Sequence, residues 1–301
     1  DSSSIAYLRP ETAQGIFVNY LNAQSTSRQK LPFGIAQIGK AFRNEITTGN
    51  FIFRTREFEQ MEMEFFCRLE ETNKWLEYWS NERLDWFKSL GINNDKLRLR
   101  KHGKDELAHY SSACYDIEYK FDFGWSELEG IADRGTFDLD QHMKHSNKKL
   151  TYFDQQNNQH FVPAVVEASA GVDRALLTVL ADAFTQENIN DEIRTVLKLS
   201  PKIAPIKVAV FPLMNKNNMP EISKKIMDEI KNSGIACFFD SGGSIGKRYR
   251  RQDEAGTPFG ITIDHETLED NSVTLRYRDT MKQERINSNK IVEIIQDLIK
   301  K

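Results

Sequence analysis

With 301 residues, 28% of them charged and a net charge of −3, the chain is long enough for one large or two ordinary domains with real cores, and it is not a globally basic nucleic-acid coat. No run approaches the roughly 18 apolar residues of a membrane span, and Asp1-Ser2-Ser3-Ser4 lacks the basic-then-apolar layout of a secretory leader. Cys67, Cys114 and Cys237 lie far apart, which predicts a reducing cytosol, small buried apolar roles and no zinc ligand set.

Pro10 fixes a bend, and Ala13, Ile16, Phe17 and Tyr20 then repeat at helical spacing, predicting a helix over 12–21 with Arg9 and Glu11 at its entrance. Glu11 there suits the positive end of a helix dipole. From Leu31 to Phe66 the pattern changes to a hairpin. One strand is expected over 34–46, a turn at Thr47-Thr48-Gly49-Asn50, and a return strand over 53–66. Arg43 and Glu45 share one parity; Arg54, Arg56, Phe58, Gln60, Glu62 and Glu64 share another. A charged face of this kind is either solvated or covered by a partner. Ile35, Ala36 and Ile38, with Met61, Met63 and Phe65, place apolar residues on both parities, so both faces are expected to be covered, with a ligand as one candidate partner.

Residues 70–90 read as an amphipathic helix stopped by Gly91, its tryptophans serving packing. Strands are expected at 97–102 and 115–122 with a short helix over 104–112 between them, and His102 and His109 read as ordinary histidines rather than metal ligands. On a strand over 123–133, Glu127 and Glu129 share a face, which suits either a Mg²⁺ held jointly with phosphates or a cross-strand ion pair. A short helix is expected over 136–147. A strand ending near Ala168 carries Glu167 and Ser169 on one parity, and a helix begins at Gly171. That helix is apolar nearly all round, so it should be buried, and Arg174 in its first turns then needs an anion: Asp173 or a phosphate.

Residues 187–205 read as a linker ending in Pro201 and Pro205. Beyond it, strands at 206–213, 235–240, 259–264 and 272–279 alternate with helices over 221–232 and 244–254, and a helix closes the chain over 288–301, implying a parallel core. Lys247, Arg248, Arg250 and Arg251 surround Tyr249, a mixture suited to phosphate contact and base stacking, or to a solvated helix face. Gly242-Gly243 is not followed by Gly-Lys-Ser/Thr, so it is no P-loop.

Phe42-Arg43-Asn44-Glu45 followed by Arg54, Phe58 and Glu62 resembles motif 2 of the class II aminoacyl-tRNA synthetases, and Gly171-Val172-Asp173-Arg174 resembles their motif 3. With Tyr7–Gly15, Glu167–Arg174 and Gly246–Phe259, the resemblance runs in order along essentially the whole chain and is specific to the homodimeric glycyl-tRNA synthetases. It implies an α+β catalytic domain over 1–199, an antiparallel sheet flanked by helices with an insertion at about 70–115, then an α/β anticodon-binding domain over 200–301. The implied activity is ATP-dependent ligation of glycine to tRNA(Gly) through a glycyl-adenylate, with Mg²⁺. Arg43 and Arg174 would be catalytic. They would bind ATP together with Asn44, Glu45, Phe53, Arg54, Phe58, Glu127, Leu128 and Gly171, with adenine stacked on Phe58 and Mg²⁺ on Glu127. Glu11, Phe58, Gln60, Glu62, Glu167 and Ser169 would surround glycine. Lys247, Arg248, Tyr249, Arg250 and Arg251 would meet the anticodon.

The chain departs from the family pattern at Ala168, where proline is usual, and it lacks the upstream motif 1, so it reads as a fragment of a cytoplasmic, homodimeric parent. Two other readings are a non-catalytic nucleic-acid-binding accessory protein of the same fold and a class IIa synthetase for another amino acid. Arg43, Arg54 and Arg174 together favour an enzyme; the Arg9–Gly15 block and the acidic pocket favour glycine.

Overall fold

The Pro10 bend leads into helix α1 (Ala13–Thr26), which buries Ala13, Ile16, Phe17 and Tyr20 as their spacing requires and runs past the expected end. This computed structural model describes residues 5–103, 105–109 and 111–300. Strands β1 (Phe33–Phe42) and β2 (Glu57–Cys67) form the expected antiparallel hairpin, in a register pairing Gln37 with Glu62 and Ala41 with Phe58.

The hairpin is shorter than the sequence predicts. Residues 43–56 are a loop with a single-turn helix at Phe51–Phe53 and one isolated bridge from Gly49 to Arg54. Asn50 and Phe51 both take left-handed φ, 53° and 56°, and two such residues in succession turn the chain out of the strand direction. Coverage also differs between the strands. β2 buries Gln60, Glu62 and Glu64 on one side, while on the other Phe65 packs tilted against Trp75 at 4.8 Å and edge-on to Trp79 at 5.2 Å. β1 is an edge strand, and its Gly34, Ala36 and Ile38 are exposed, so the expectation of two covered faces fails there.

Both tryptophans lie on α2 (Thr72–Ser89). β3 (Leu97–Lys101), β4 (Ala113–Phe121), β5 (Gly124–Gly135), α3 (Phe137–Ser146), the small pair β6 (Tyr152–Asp154) and β7 (Gln159–Phe161), β8 (Ala164–Gly171) and α4 (Val172–Ala183) follow. The main sheet is six-stranded and antiparallel, in the order β1-β2-β8-β5-β4-β3. Segment 70–115, read as an insertion, supplies the far edge strand of this sheet and the helix against it. No helix forms over 104–112 among the described residues; the Gly103 N–H is taken by the Glu106 carboxylate at 2.8 Å, which closes a turn instead (Lys104 and Tyr110 lie outside the described residues). α4 is buried on one side only. Ala175, Thr178 and Ala183 face inward, but Leu176 and Leu180 are exposed, so the apolar circumference did not make it a core helix.

The chain divides into two compact units, Asp1–Thr178 and Val179–Lys301, a boundary earlier than the expected 199/200. The reason is that the supposed linker is a hairpin, β9 (Phe184–Ile189) and β10 (Glu192–Leu197). Its two-residue turn, Asn190-Asp191, has φ of 51° and 64°, the double left-handed geometry that matches strand twist. Asn190→Ala is expected to cost the second unit about 1 kcal/mol, because alanine lacks asparagine's tolerance of that conformation; hydrogen exchange across β9 and β10 measures it.

The rest of the second unit comprises β11 (Val208–Pro212), α5 (Met219–Asn232), β12 (Cys237–Phe239), α6 (Ile245–Ala255), β13 (Phe259–Ile263), α7 (His265–Asp270), β14 (Ser272–Tyr277), β15 (Gln283–Asn287) and α8 (Ile291–Lys300). The sheet order is β12-β11-β13-β14-β15, parallel among the first three and antiparallel thereafter. Val208, Val210, Ile226, Ile261, Ile263 and Ile295 form its core. β12 is an edge strand with Phe238 exposed, not the fully buried strand its composition suggests. α7 and β15 have no counterpart in the sequence reading; α7 is short and is held by an Asp264–Thr267 capping box.

Candidate active site

The loop 43–56, β2, residues 127 and 128 of β5, the end of β8 and the start of α4 line one cavity. Arg43, Arg54 and Arg174 all line it, with Glu45, Phe53, Phe58, Gln60, Glu127, Leu128, Ser169 and Gly171. The two arginines named as catalytic thus converge on one space. Arg43 is exposed rather than buried; its Nε donates to the Pro10 carbonyl at 3.1 Å, and its guanidinium lies 5.3 Å from the Phe58 ring centre. Arg174 donates Nε to the Phe53 carbonyl (2.9 Å) and Nη1 to the Glu127 carbonyl (3.1 Å), and stacks over Phe53 at 4.3 Å. The cation facing Phe58 is therefore Arg43. Asp173 is not Arg174's partner, since it accepts the Glu59 N–H at 2.9 Å. Burial, reinforced by Arg54 and Arg43, holds the Arg174 guanidinium below its ordinary value, a cost that an anion in the cavity removes. Asn44 is exposed and lies outside the lining.

A bulge in β5, where Leu128 is the extra residue, sets Glu127 opposite Glu118 and Glu129 opposite Ile117 of β4. It breaks the two-residue alternation, so Glu127 and Glu129 do not share a face. Glu129 turns under α2, where Arg83 holds it bidentately at 2.6 and 3.0 Å. Of the two, Glu127 faces the cavity, with about half of its side chain exposed and its carboxylate 3.9 Å from Arg174 Nη1. His102, Cys114 and Asp116 also cluster, but Arg100 sits among them, donating to Asp116 at 3.0 Å with His102 Nε2 at 3.3 Å, so a guanidinium occupies the position a cation would need.

Gln60 and Ser169 line the cavity, and Glu62 lies just behind them. Glu62 accepts from the Thr12 N–H (2.7 Å), the Thr12 hydroxyl, the Gln60 amide (2.7 Å) and the Ser169 hydroxyl (2.9 Å). Glu167 is buried on Arg134, whose Nη1 donates to it at 2.5 Å, while Asp138 takes Nε and Nη2 at 2.6 and 2.8 Å. Glu11 sits at the entrance to α1 bonded to Gln14 at 2.9 Å. Thr12, Arg134 and Asp138 were not named as site residues from sequence, and Glu64 was named as part of the charged strand face without a role. Glu64 had a signal, an acidic residue at every second position of an otherwise apolar strand; Arg134 and Asp138 had none, because only the β5–β8 pairing brings them to Glu167.

In the second unit the basic helix splits into two sets. Arg248 is buried and donates to the carbonyls of Pro212, Gly242 and Gly243, closing its own loop. Tyr249 packs between Phe211 (5.1 Å) and Arg276 (4.6 Å) and bonds Thr262 at 2.6 Å, so its ring faces inward. Arg251 is paired with Asp240, and Arg250 lies 3.7 Å from Glu192. Lys247 is exposed.

Residues 2–183 match the family described as tRNA synthetase class II core domain (G, H, P, S and T), and residues 207–298 match that described as anticodon binding domain. The chain is 53% identical over 300 residues to the glycine–tRNA ligase of Caldanaerobacter subterraneus subsp. tengcongensis, covering 100% of this chain and 64% of that relative. It is 52% identical over 303 residues to that of Thermobifida fusca (98% and 65%) and 50% identical over 306 residues to that of Treponema denticola (100% and 68%). The chain thus spans about two thirds of the length of these curated relatives. With the core fold, the second domain and this identity in agreement, the chain belongs to the glycine–tRNA ligase family of the class II aminoacyl-tRNA synthetases.

Proposed function

We propose that the protein containing this chain joins glycine to tRNA(Gly) in two steps, forming glycyl-adenylate from ATP and passing the glycyl group to the 3′ end of the tRNA. The observation that carries this reading is the convergence of Arg43, Arg54 and Arg174 on one cavity backed by carboxylates. Three guanidiniums facing one space repel each other until a polyanion enters. Their forked donors suit a triphosphate: Arg43 for the α-phosphate and the amino-acid carboxylate, Arg174 for the γ-phosphate, Arg54 for the remainder. Phe58 and Phe53 supply flat apolar surface for adenine. Acceleration then comes from positioning and charge neutralisation, with no side chain required as a general base.

Glycine offers no side chain to grip, so selection must exclude a Cβ. Gln60, Ser169 and Glu62 fill the space and, with Glu11 and Glu167, attract the ammonium. Mg²⁺ fits as an ion carried mainly by phosphate oxygens, with Glu127 the one carboxylate of β5 presented to the cavity; when bound, it neutralises phosphate charge. The second unit is read as the tRNA anticodon contact, through Lys247, Arg250 and Arg251, with Arg248 and Tyr249 supporting that surface from inside. The intact parent is proposed to be a cytoplasmic homodimer.

Glycine-dependent ATP–pyrophosphate exchange by the intact parent, run beside serine, threonine, proline, histidine and alanine, tests the reading. Exchange with glycine alone supports it, exchange with another of these assigns a different synthetase, and none with any amino acid indicates an accessory protein. Lys247→Ala is expected to raise the KM for tRNA about three- to tenfold and to lower the salt dependence by about one counterion, leaving exchange unchanged. Equal loss in both assays would contradict the division of labour.

A further inference from the structure

The hydrogen bonds behind the cavity are unevenly shared. Glu62 has four donors, and Arg134 spends two of its nitrogens on Asp138 and one on Glu167. Glu64 is fully buried, and neither of its carboxyl oxygens meets a donor among the described residues. It stands directly opposite Glu167 in the β2–β8 register, an arrangement that holds Cβ atoms about 5 Å apart. The charged groups around this pair are Glu62 on the same strand, Arg134 from β5, Asp138 from α3 and Glu11 ahead of α1. β1 contributes Ile35 opposite Glu64, and α1 contributes Phe17 beneath the Arg134 guanidinium. Asp138 already balances the single guanidinium, so two further ionised carboxylates behind the cavity would be uncompensated.

We propose that Glu64 and Glu167 share a proton while the site is empty and release it when the ammonium group of the amino acid enters, so that Glu64 sets the charge of the amine subsite without touching the substrate. This rests on the reading above that the ammonium lies among Glu11, Glu62, Glu167 and Ser169. Burial and the facing carboxylate hold Glu64 well above the ordinary carboxylate range, and burial raises Glu167 to about 7. The two titrate as a unit. An incoming cation favours the ionised pair, so binding expels a proton. Affinity therefore rises with pH through the range in which the empty pair titrates and flattens above it. Glu64 is a positioning residue, and its signature is a proton count.

The test is calorimetric titration of the chain, near the Glu167 value of about 7, in phosphate and in Tris, whose ionisation heats differ. The probes are the non-hydrolysable sulfamoyl analogue of glycyl-adenylate and its glycolyl counterpart, which carries a hydroxyl in place of the ammonium. Wild type is expected to release roughly half to one proton with the glycyl analogue and none with the glycolyl analogue. Glu64→Gln, which mimics the protonated carboxyl, should fold normally and abolish the release. Equal proton counts for the two analogues on wild type, or full release retained by Glu64→Gln, overturn the proposal. If Glu64→Gln does not fold, Glu64→Met serves as the second uncharged variant, and the wild-type comparison decides alone if neither folds. Failure of both analogues to bind at all overturns instead the assignment of the cavity as an adenylate site.

Discussion

Replacing Arg43 with alanine in the intact parent is expected to lower glycine-dependent ATP–pyrophosphate exchange by about two to three orders of magnitude. The side chain is anchored through Nε on the Pro10 carbonyl and through its face toward Phe58, which leaves its terminal nitrogens for the cavity. One forked, charge-assisted contact made in the transition state accounts for a loss of about 3 to 4 kcal/mol. The loss should appear in kcat more than in the KM for ATP, since Arg54 and Arg174 still line the cavity as the proposed phosphate contacts. Arg43→Lys keeps the charge but not the fork and should recover only part of the rate. The thermal midpoint should not move, because Arg43 is exposed. Exchange within a few-fold of wild type would remove Arg43 from the mechanism, and with it the reason for calling the cavity a phosphate site.

Asp253→Ala is expected to destabilise the second unit by about 3 to 5 kcal/mol. Asp253 is buried and balances two guanidiniums at once. Arg194 reaches it through Nε and Nη2 at 3.0 and 2.9 Å, and Arg276 through both terminal nitrogens at 2.9 and 3.0 Å. Arg194 also donates to Glu187 and to the Arg278 carbonyl, and Arg276 supports Tyr249. Removing the carboxylate leaves two charges in a space with little water, which costs more than the pair contributed. Trp75, Trp79, Trp86 and Trp125 all lie in the first unit, so tryptophan fluorescence would miss the change. Hydrogen exchange read on β10, β13 and β14 reports it, with the six-stranded sheet as internal control. Protection in those three strands that stays at wild-type level would show that water or relaxation satisfies both arginines.

Elements with a strong local signature were legible in the residues themselves. α1 and α2 follow from apolar spacing, and β1 and β2 from a register of alternating side chains around Asn50. Arg174 stood out because a guanidinium in an apolar helix needs an anion, whereas Arg43 was picked out by the resemblance of Phe42-Arg43-Asn44-Glu45 to motif 2. The hairpin at 184–197 was missed because polar strands around Asn190-Asp191 carry no apolar alternation; their burial comes from Arg194 meeting Asp253, 59 residues later. Glu129 was misplaced because a bulge depends on how β4 meets β5, and one extra residue reverses every side chain beyond it.

By itself the sequence determined the helices and strands whose apolar spacing is strong, such as α1, α2, β1 and β2, since backbone sterics and side-chain pattern are properties of near neighbours. The tertiary structure alone decided which charges meet. It turned Arg248 and Tyr249 inward, sent Glu129 to Arg83, and set Glu64 against Glu167 behind the cavity. The physical reason is that the energy of a charge depends on its distance from other charges and from water, and strand pairing sets those distances across more than a hundred residues of chain.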